Sequence, residues 1–207
     1  MSDTASVREP IAGRPVWEVA DSGKEWIGLG GNLEVPMAVN ISRISDEEWD
    51  YYVDASVTFD VASMRYEITT VALHSYRVDG RPTPVTARAL RSMLLSKLEA
   101  KIFTEGFPII VGPNQEPGFG QFGWKGLDRV GDDLRGNGPT PQALEAAAAI
   151  YCAYFAIRGN PTQKISEAFG LPHRTASHWV KLARERGHLS KDPTKSIDTP
   201  KRWIVSG

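Results

Sequence analysis

Apolar and polar residues alternate from Trp49 to Phe59. Trp49, Tyr51, Val53, Ala55, Val57 and Phe59 take one parity, and Asp50, Tyr52, Asp54, Ser56 and Thr58 the other. A period of two held over that length predicts a strand with one buried and one wet face. Ser45-Asp46-Glu47-Glu48 just upstream also has the form of a helix start. Asp60 to Met64 reads as a loop. Arg65 to Val78, rich in Thr, Val, Ile and Tyr, reads as the returning strand, closed by Asp79-Gly80-Arg81-Pro82. Earlier, Val16–Val19 and Trp26–Leu29 flank the turn-forming Asp21-Ser22-Gly23-Lys24, which predicts a hairpin. Leu33 to Ile41 is β-prone, and Pro36 within it predicts an edge or a bulge. Residues 1–14 are polar and without period.

The period then changes to that of helices. Thr86 can cap a helix whose stripe is Leu90, Met93, Leu94, Lys97, Leu98 and Ile102. From Pro141, the residues Leu144, Ala147, Ala148, Tyr151, Tyr154 and Phe155 recur at helical steps, and the Ala run 146–149 allows a neighbour to approach closely. Asn160-Pro161-Thr162-Gln163 starts another helix: Asn caps, Pro fits the first position, and Gln can reach back to close a capping box. Ile165, Ala168 and Phe169 form its apolar face, and Gly170 ends it where positive φ is needed. After Pro172 a two-faced helix follows. Ala176, Trp179, Val180 and Ala183 lie on one side, His173, Ser177, Lys181 and Arg184 on another, and Arg174 and His178 flank the polar stripe. Between the sheet and this helical region, residues 105–141 hold nine Gly and five Pro without lasting period, a linker or irregular flap. Phe107, Phe119, Phe122 and Trp124 within it imply that part of it docks on a domain.

Charge adds a division that the pattern alone does not give. The net charge is −1 over 207 residues, but residues 1–138 carry 14 Lys and Arg against 20 Asp and Glu, while residues 139–207 carry 10 against 5. An acidic body joined to a basic module predicts local binding of a polyanion by the module. No apolar run approaches the ~20 residues of a membrane span, and MSDTASVREP has no signal-peptide pattern. With a single cysteine, Cys152, set in an Ala-rich helix and read as a structural thiol, a cytoplasmic setting is the expectation.

Ile165-Ser166, Gly170-Leu171 and Thr175-Ala176-Ser177-His178-Trp179 fall where the helix-turn-helix family places Ile-Ala, Gly-Val and Thr-Val-Ser-Arg followed by an apolar residue. The stretch Asn160–Gly187 thus resembles that DNA-binding family. It departs at Ser166, where Ala is usual, and at Pro172, where a capping Ser is usual. Two short segments, His188-Leu189-Ser190 and Arg202–Val205, would complete the winged variant as a hairpin over 188–205. More broadly, the chain looks like a class of small proteins of high-GC bacteria and their phages, a likeness that supplies no residue roles.

The expected fold is α+β. An N-terminal antiparallel sheet with a covering helix (residues 1–104, helix 86–103) is joined by the Gly/Pro-rich stretch 105–140 to a winged helix-turn-helix at 141–207. The expected partner is double-stranded DNA, read in the major groove by helix 173–186. His173, Arg174, Ser177, His178 and Lys181 are the candidates for base contacts. Thr162, Gln163, Lys164, Thr175, Arg184, Lys191, Lys195, Lys201 and Arg202 are the candidates for phosphate contacts. No cofactor, metal, catalytic residue or membrane partner is expected. The N-terminal part would serve dimerisation, ligand sensing or protein docking.

Two other function classes compete. In one, the chain is an adaptor whose helical module only packs. In the other, it is an accessory DNA-processing protein of a mobile element, with Asp54, Asp60 and Glu67 as the loose carboxylate candidates. Other constellations fall away on their spacing. Gly28-Leu29-Gly30-Gly31-Asn32 lacks the Lys-Ser/Thr ending of a phosphate loop. Asp46, Glu47, Glu48 and Asp50 lack the ligand spacing of a calcium loop. His173 and His178 have no cysteine near to make a zinc site.

Overall fold

The computed structural model describes residues 16–19, 25–30, 33–49, 51–78, 81–82, 84–93, 95–104, 110–111, 134–192 and 202–204. Within them the chain is α+β, and every strand pairing is antiparallel. One sheet joins β1 (Val16–Val19), β4 (Ala38–Ile44), β5 (Tyr51–Asp60) and β6 (Arg65–Ser75) in that order. The second joins β2 (Glu25–Gly30), β3 (Leu33–Pro36), β9 (Ile110–Val111) and β10 (Arg202–Ile204) in the order β10-β2-β3-β9. A small ribbon pairs β7 (Arg77–Val78) with β8 (Arg81–Pro82). The helices are α1 (Ala87–Ser92), α2 (Leu95–Thr104), α3 (Pro141–Ala156), α4 (Pro161–Phe169) and α5 (His173–Glu185).

β5 realises the alternation read from the sequence: Tyr51, Val53, Ala55, Val57 and Phe59 are buried, and Tyr52, Asp54, Ser56 and Thr58 are half-buried. Trp49 is buried just ahead of the strand and stacks on Tyr51 with ring centroids 5.3 Å apart. The chain changes sheet at Met37, between β3 and β4. Pro36 ends β3 beyond the reach of β9, which pairs only with Leu33 and Glu34, so on that side no described strand meets it and its missing N–H costs little. Its carbonyl accepts a hydrogen bond from the Tyr66 hydroxyl, the polar tip of a fully buried ring, and that burial pushes the phenol's pKa well up.

Three expectations are corrected. β1 does not form a hairpin with β2. It pairs with β4 in one sheet, while β2 pairs with β3 in the other. The single helix over 86–103 is two, because Met93 is extended (φ −74°, ψ 103°). Thr86 caps α1 as expected, accepting from Ala89 N, but Leu90 is 55 % exposed, Met93 is only partly buried, and Leu98, Ile102 and Phe103 are buried in the core. Among the described residues no wing hairpin forms: 188–189 are a bend, and β10 pairs with β2. The Gly/Pro-rich stretch 105–140 contributes β9, on the edge of β3, and the turn 134–140. Its Phe107, Phe119, Phe122 and Trp124 lie outside the described residues.

α3 lies at the centre. It packs on α4 and α5 and also meets β2, β3 and β6. Its apolar residues cover most of its circumference, as a helix packed on several sides requires: Ala143, Leu144, Ala146 to Ile150, Ala153 and Ala156 are all buried, while Gln142 and Glu145 face solvent. One hydrophobic core therefore runs from Ile27 in β2 through the sheets and α3 to Leu189. Cys152 sits in this helix, where burial pushes its thiol up to about 12, in keeping with a structural rather than nucleophilic role.

α2 is tied to the turn before β5 by charge. Lys97 Nζ lies 2.9 Å from Asp46 Oδ1 and 2.7 Å from Glu48 Oε2, and Lys101 Nζ lies 2.9 Å from Asp46 Oδ2. These contacts, led by the Lys97 hydrogen bond and joined by the Glu48 amide and Lys101, hold the Asp46 carboxyl well below the usual range. A carboxyl depressed on folding stabilises the native state above its unfolded pKa, and the contribution disappears as pH falls toward the folded value. The melting temperature should therefore decline below about pH 4, with a shallower decline in Asp46→Asn, measured by thermal melts across pH.

Candidate nucleic-acid interface

The three C-terminal helices are set by their ends. Thr140 caps α3 by accepting from Ala143 N at 3.2 Å. Asn160 caps α4 by accepting from Gln163 N at 3.1 Å. The capping box is not closed, since Gln163 Nε2 instead donates to Glu167 at 3.0 Å. Each helix then stops in the same paired-bond motif. At α3, Gly159 N donates to Tyr154 O and Arg158 N to Phe155 O. At α4, Leu171 N donates to Ser166 O and Gly170 N to Glu167 O. At α5, His188 N donates to Ala183 O and Gly187 N to Arg184 O. The motif requires positive φ at its pivot, and Gly170 supplies it at 62°. At the end of α3 the pivot is Arg158 (φ 58°), not the adjacent Gly159. An arginine there is strained by about 1–2 kcal/mol. Its guanidinium pairs with Glu67 on β6 and lies 3.5 Å from Glu99 on α2, bracing the helical unit against both.

Both departures from the helix-turn-helix pattern have local consequences. The Ser166 hydroxyl donates to the Leu171 carbonyl, satisfying an acceptor in the turn. Arg135 donates to Ala168 O at 3.1 Å, and a Cβ on Gly170 would stand 3.2 Å from its Nε. The α4–α5 turn is thus closed by a side chain from before α3, a long-range contact that no local pattern announces. Pro172 leaves α5 without a side-chain cap and with no acidic residue in its first turn. The N-terminal amides of α5 therefore face outward with the positive end of the helix dipole.

α5 is divided as its periodicity predicts. Ala176, Trp179, Val180 and Ala183 are at most 4 % exposed. Trp179 meets the Phe169 ring of α4 edge to face, centroids 5.0 Å apart. On the opposite side His173, Arg174, Ser177, His178 and Lys181 are all exposed, so the five residues expected to contact bases share one solvent-facing ridge. Ser177 Oγ donates back to His173 O at 3.0 Å. Lys181 is 71 % exposed and lies 3.7 Å from Glu185 at the far end of the ridge, a contact worth only a few tenths of a kcal/mol.

The expected phosphate ligands are less uniform. Thr162 and Thr175 are half-buried, and Lys191 is exposed. Gln163 and Lys164 line a groove of about 680 Å³ shared with α2, where Lys164 lies 3.7 Å from Glu167 and 5.4 Å from the Tyr154 ring centre. Arg184 turns inward: its Nη2 donates to Tyr151 OH at 2.9 Å, and its guanidinium lies 5.1 Å from that ring's centre. It braces α5 on α3 and is not free to reach a phosphate without breaking that contact. Lys195 and Lys201 lie outside the described residues, and Arg202 is in β10.

The carboxylates weighed for DNA processing are engaged elsewhere. Asp54 meets His74 at 3.0 Å and accepts from Arg43 N. Asp60 accepts from Ala62 N and Ser63 N, and the Ser63 side chain, followed by these amides, holds its pKa low. Glu67 pairs with Arg158. Among the described residues no group of three or more His, Cys, Asp and Glu is placed to hold a metal ion, and no helix is long and apolar enough to cross a membrane. Comparison with family models, with curated proteins and with solved structures finds no match for this chain.

Proposed function

We propose that the chain is a sequence-specific double-stranded DNA-binding protein that regulates transcription. In this reading α4 and α5 act as a helix-turn-helix, and α5 enters the major groove. The observation that carries the reading is the exposed ridge His173-Arg174-Ser177-His178-Lys181, rigidly backed by the buried Ala176, Trp179, Val180 and Ala183. A groove admits one helix, and its base edges accept hydrogen bonds from Arg and Lys. The uncapped start of α5 adds amides suited to a phosphate. Lys191 supports backbone contact from the chain that follows α5.

Random-pool selection of bound duplexes with the full chain, followed by titration against salt, tests the reading. Salt-dependent binding with a recovered sequence preference is the expected result, and no binding even in dilute buffer overturns it. Within it, Arg174→Ala should cost about 1–3 kcal/mol on the preferred duplex and little on random DNA. Lys191→Ala should weaken both alike and reduce the salt slope by about 1. Equal loss on both duplexes for Arg174→Ala would remove that residue from base recognition.

A further inference from the structure

Both four-stranded sheets leave two edges, and three of these four edges are short: β1 has 4 residues, β10 has 3 and β9 has 2. Short edge strands are a common way to keep a sheet from pairing with another chain. The fourth edge, β6, is the opposite case. At 11 residues it is the longest strand among the described residues, and none of these pairs with its outer side. Its start is held by α3, through Arg65 over the Phe155 ring and Glu67 on Arg158. The register shift opposite Ser56 and Val57 leaves Thr69 unmatched, so the regular stretch is Thr70–Ser75. That stretch, TVALHS, carries no Pro, no Gly, no Lys and no carboxylate, and so lacks the usual guards of an exposed edge.

We propose that a second copy of this chain pairs along this edge, Thr70–His74 against Thr70–His74, antiparallel about a two-fold axis at Ala72. The stretch is self-complementary in that register. Val71 and Leu73 lie on the core side, opposite Ala55 and Val53 of β5, and the axis sets each Val71 beside Leu73 of the second copy. Ala72 and His74 lie on the solvent side, opposite Asp54 and Tyr52. Thr70 then meets His74 of the second copy, hydroxyl against imidazole. His74 is already held in place by Asp54 at 3.0 Å and by stacking on Tyr52 at 4.8 Å, so little side-chain freedom is lost on pairing. With no charge between Glu67 and His74, the edge offers nothing to select a foreign charged strand, whereas an identical strand matches it residue for residue. An isologous interface of this kind closes on itself and stops at a dimer. Pairing along this edge does not need DNA binding. Where both hold, the dimer carries two α5 ridges related by a two-fold axis.

Sedimentation velocity of the full chain without DNA tests it, and a reversible monomer–dimer equilibrium is expected. Ala72→Lys places two ammonium groups together at the axis of a dimer but opposite Asp54 within one chain. It should leave the circular dichroism and melting temperature in place while raising the dimer dissociation constant at least about tenfold. Ala72→Cys should oxidise to a covalent dimer, reversed by reductant, far faster than a cysteine at the exposed, off-edge Gln142. The native Cys152 is half-buried on α3, and desolvation keeps its thiol protonated, so it oxidises slowly in either variant. A wild-type chain that stays monomeric at all accessible concentrations overturns the proposal. So does a dimer that Ala72→Lys leaves unchanged. If Ala72→Lys fails to fold, the crosslinking comparison decides: equal rates for Ala72→Cys and Gln142→Cys overturn it.

Discussion

Trp179→Ala is expected to lower the free energy of unfolding by about 3–5 kcal/mol, the largest effect of any single substitution considered for this chain. The indole is 3 % exposed and fills the angle between α4 and α5 against Phe169. The cost of truncating a core residue grows with the cavity that cannot collapse, and here the surroundings cannot collapse easily. Much of α3 beneath is alanine, with Ala146, Ala147, Ala148, Ala149, Ala153 and Ala156 buried. None of these has a side chain long enough to move into the space. A loss of this size removes a large part of the ~5–15 kcal/mol that holds a typical domain together. Denaturant titration followed by circular dichroism measures it, with Trp179→Phe as the graded partner retaining the ring contact and losing much less. A loss below about 1 kcal/mol for the alanine variant would show that the helical unit repacks freely, and that the ridge on α5 is not rigidly backed.

Most of this helical unit was legible in the sequence, because its determinants are local. Asn160 caps the helix it begins, Gly170 turns the chain where its own φ permits, and Trp179 faces the side its spacing assigns. The strand β5 was legible for the same reason, since alternation encodes its own two faces. Pairing is not local. Nothing in Val16–Val19 says that its partner is β4 rather than the nearby β2, and nothing before Met37 announces a change of sheet. The break at Met93 overrides a stripe that continues through it. Leu90 follows the helical pattern yet ends 55 % exposed, because α1 has no neighbour to bury it among the described residues. Long basic side chains were the least legible. Arg184 shares the polar stripe of α5 by spacing, but its reach brings it back to Tyr151. Arg135 closes the α4–α5 turn from more than thirty residues away. Arg158 occupies a position where the sequence pattern would place the neighbouring Gly159, and the pairing with Glu67 that accompanies it could not be seen without the sheet in place.

Ser177→Glu should abolish duplex binding while leaving the fold intact, and it separates the ridge from the scaffold more cleanly than any alanine variant. Ser177 is exposed at the middle of the ridge, and its hydroxyl donates to its own helix at His173 O. Such back-bonding contributes little to a helix, so its loss is nearly neutral. A glutamate there has Lys181 four residues on and Arg174 three residues back, and each spacing favours opposite charges on a helix surface by a few tenths of a kcal/mol. Folding stability should therefore stay within about 0.5 kcal/mol of the parent chain. Against DNA the same carboxylate works in the opposite sense. It neutralises the two cations beside it and meets acceptor atoms and phosphates, and like charge at a desolvated contact costs several kcal/mol. About 3 kcal/mol corresponds to more than a hundredfold loss of affinity. The loss should fall on preferred and random duplexes alike, unlike that of Arg174→Ala, because repulsion from phosphates does not depend on sequence. Fluorescence anisotropy with labelled duplexes, alongside a denaturant melt of the same preparation, reads both quantities. A folded Ser177→Glu chain that binds duplexes as well as the parent would show that α5 does not face the nucleic acid, and the basic ridge would then be a solvated surface on a packing helix.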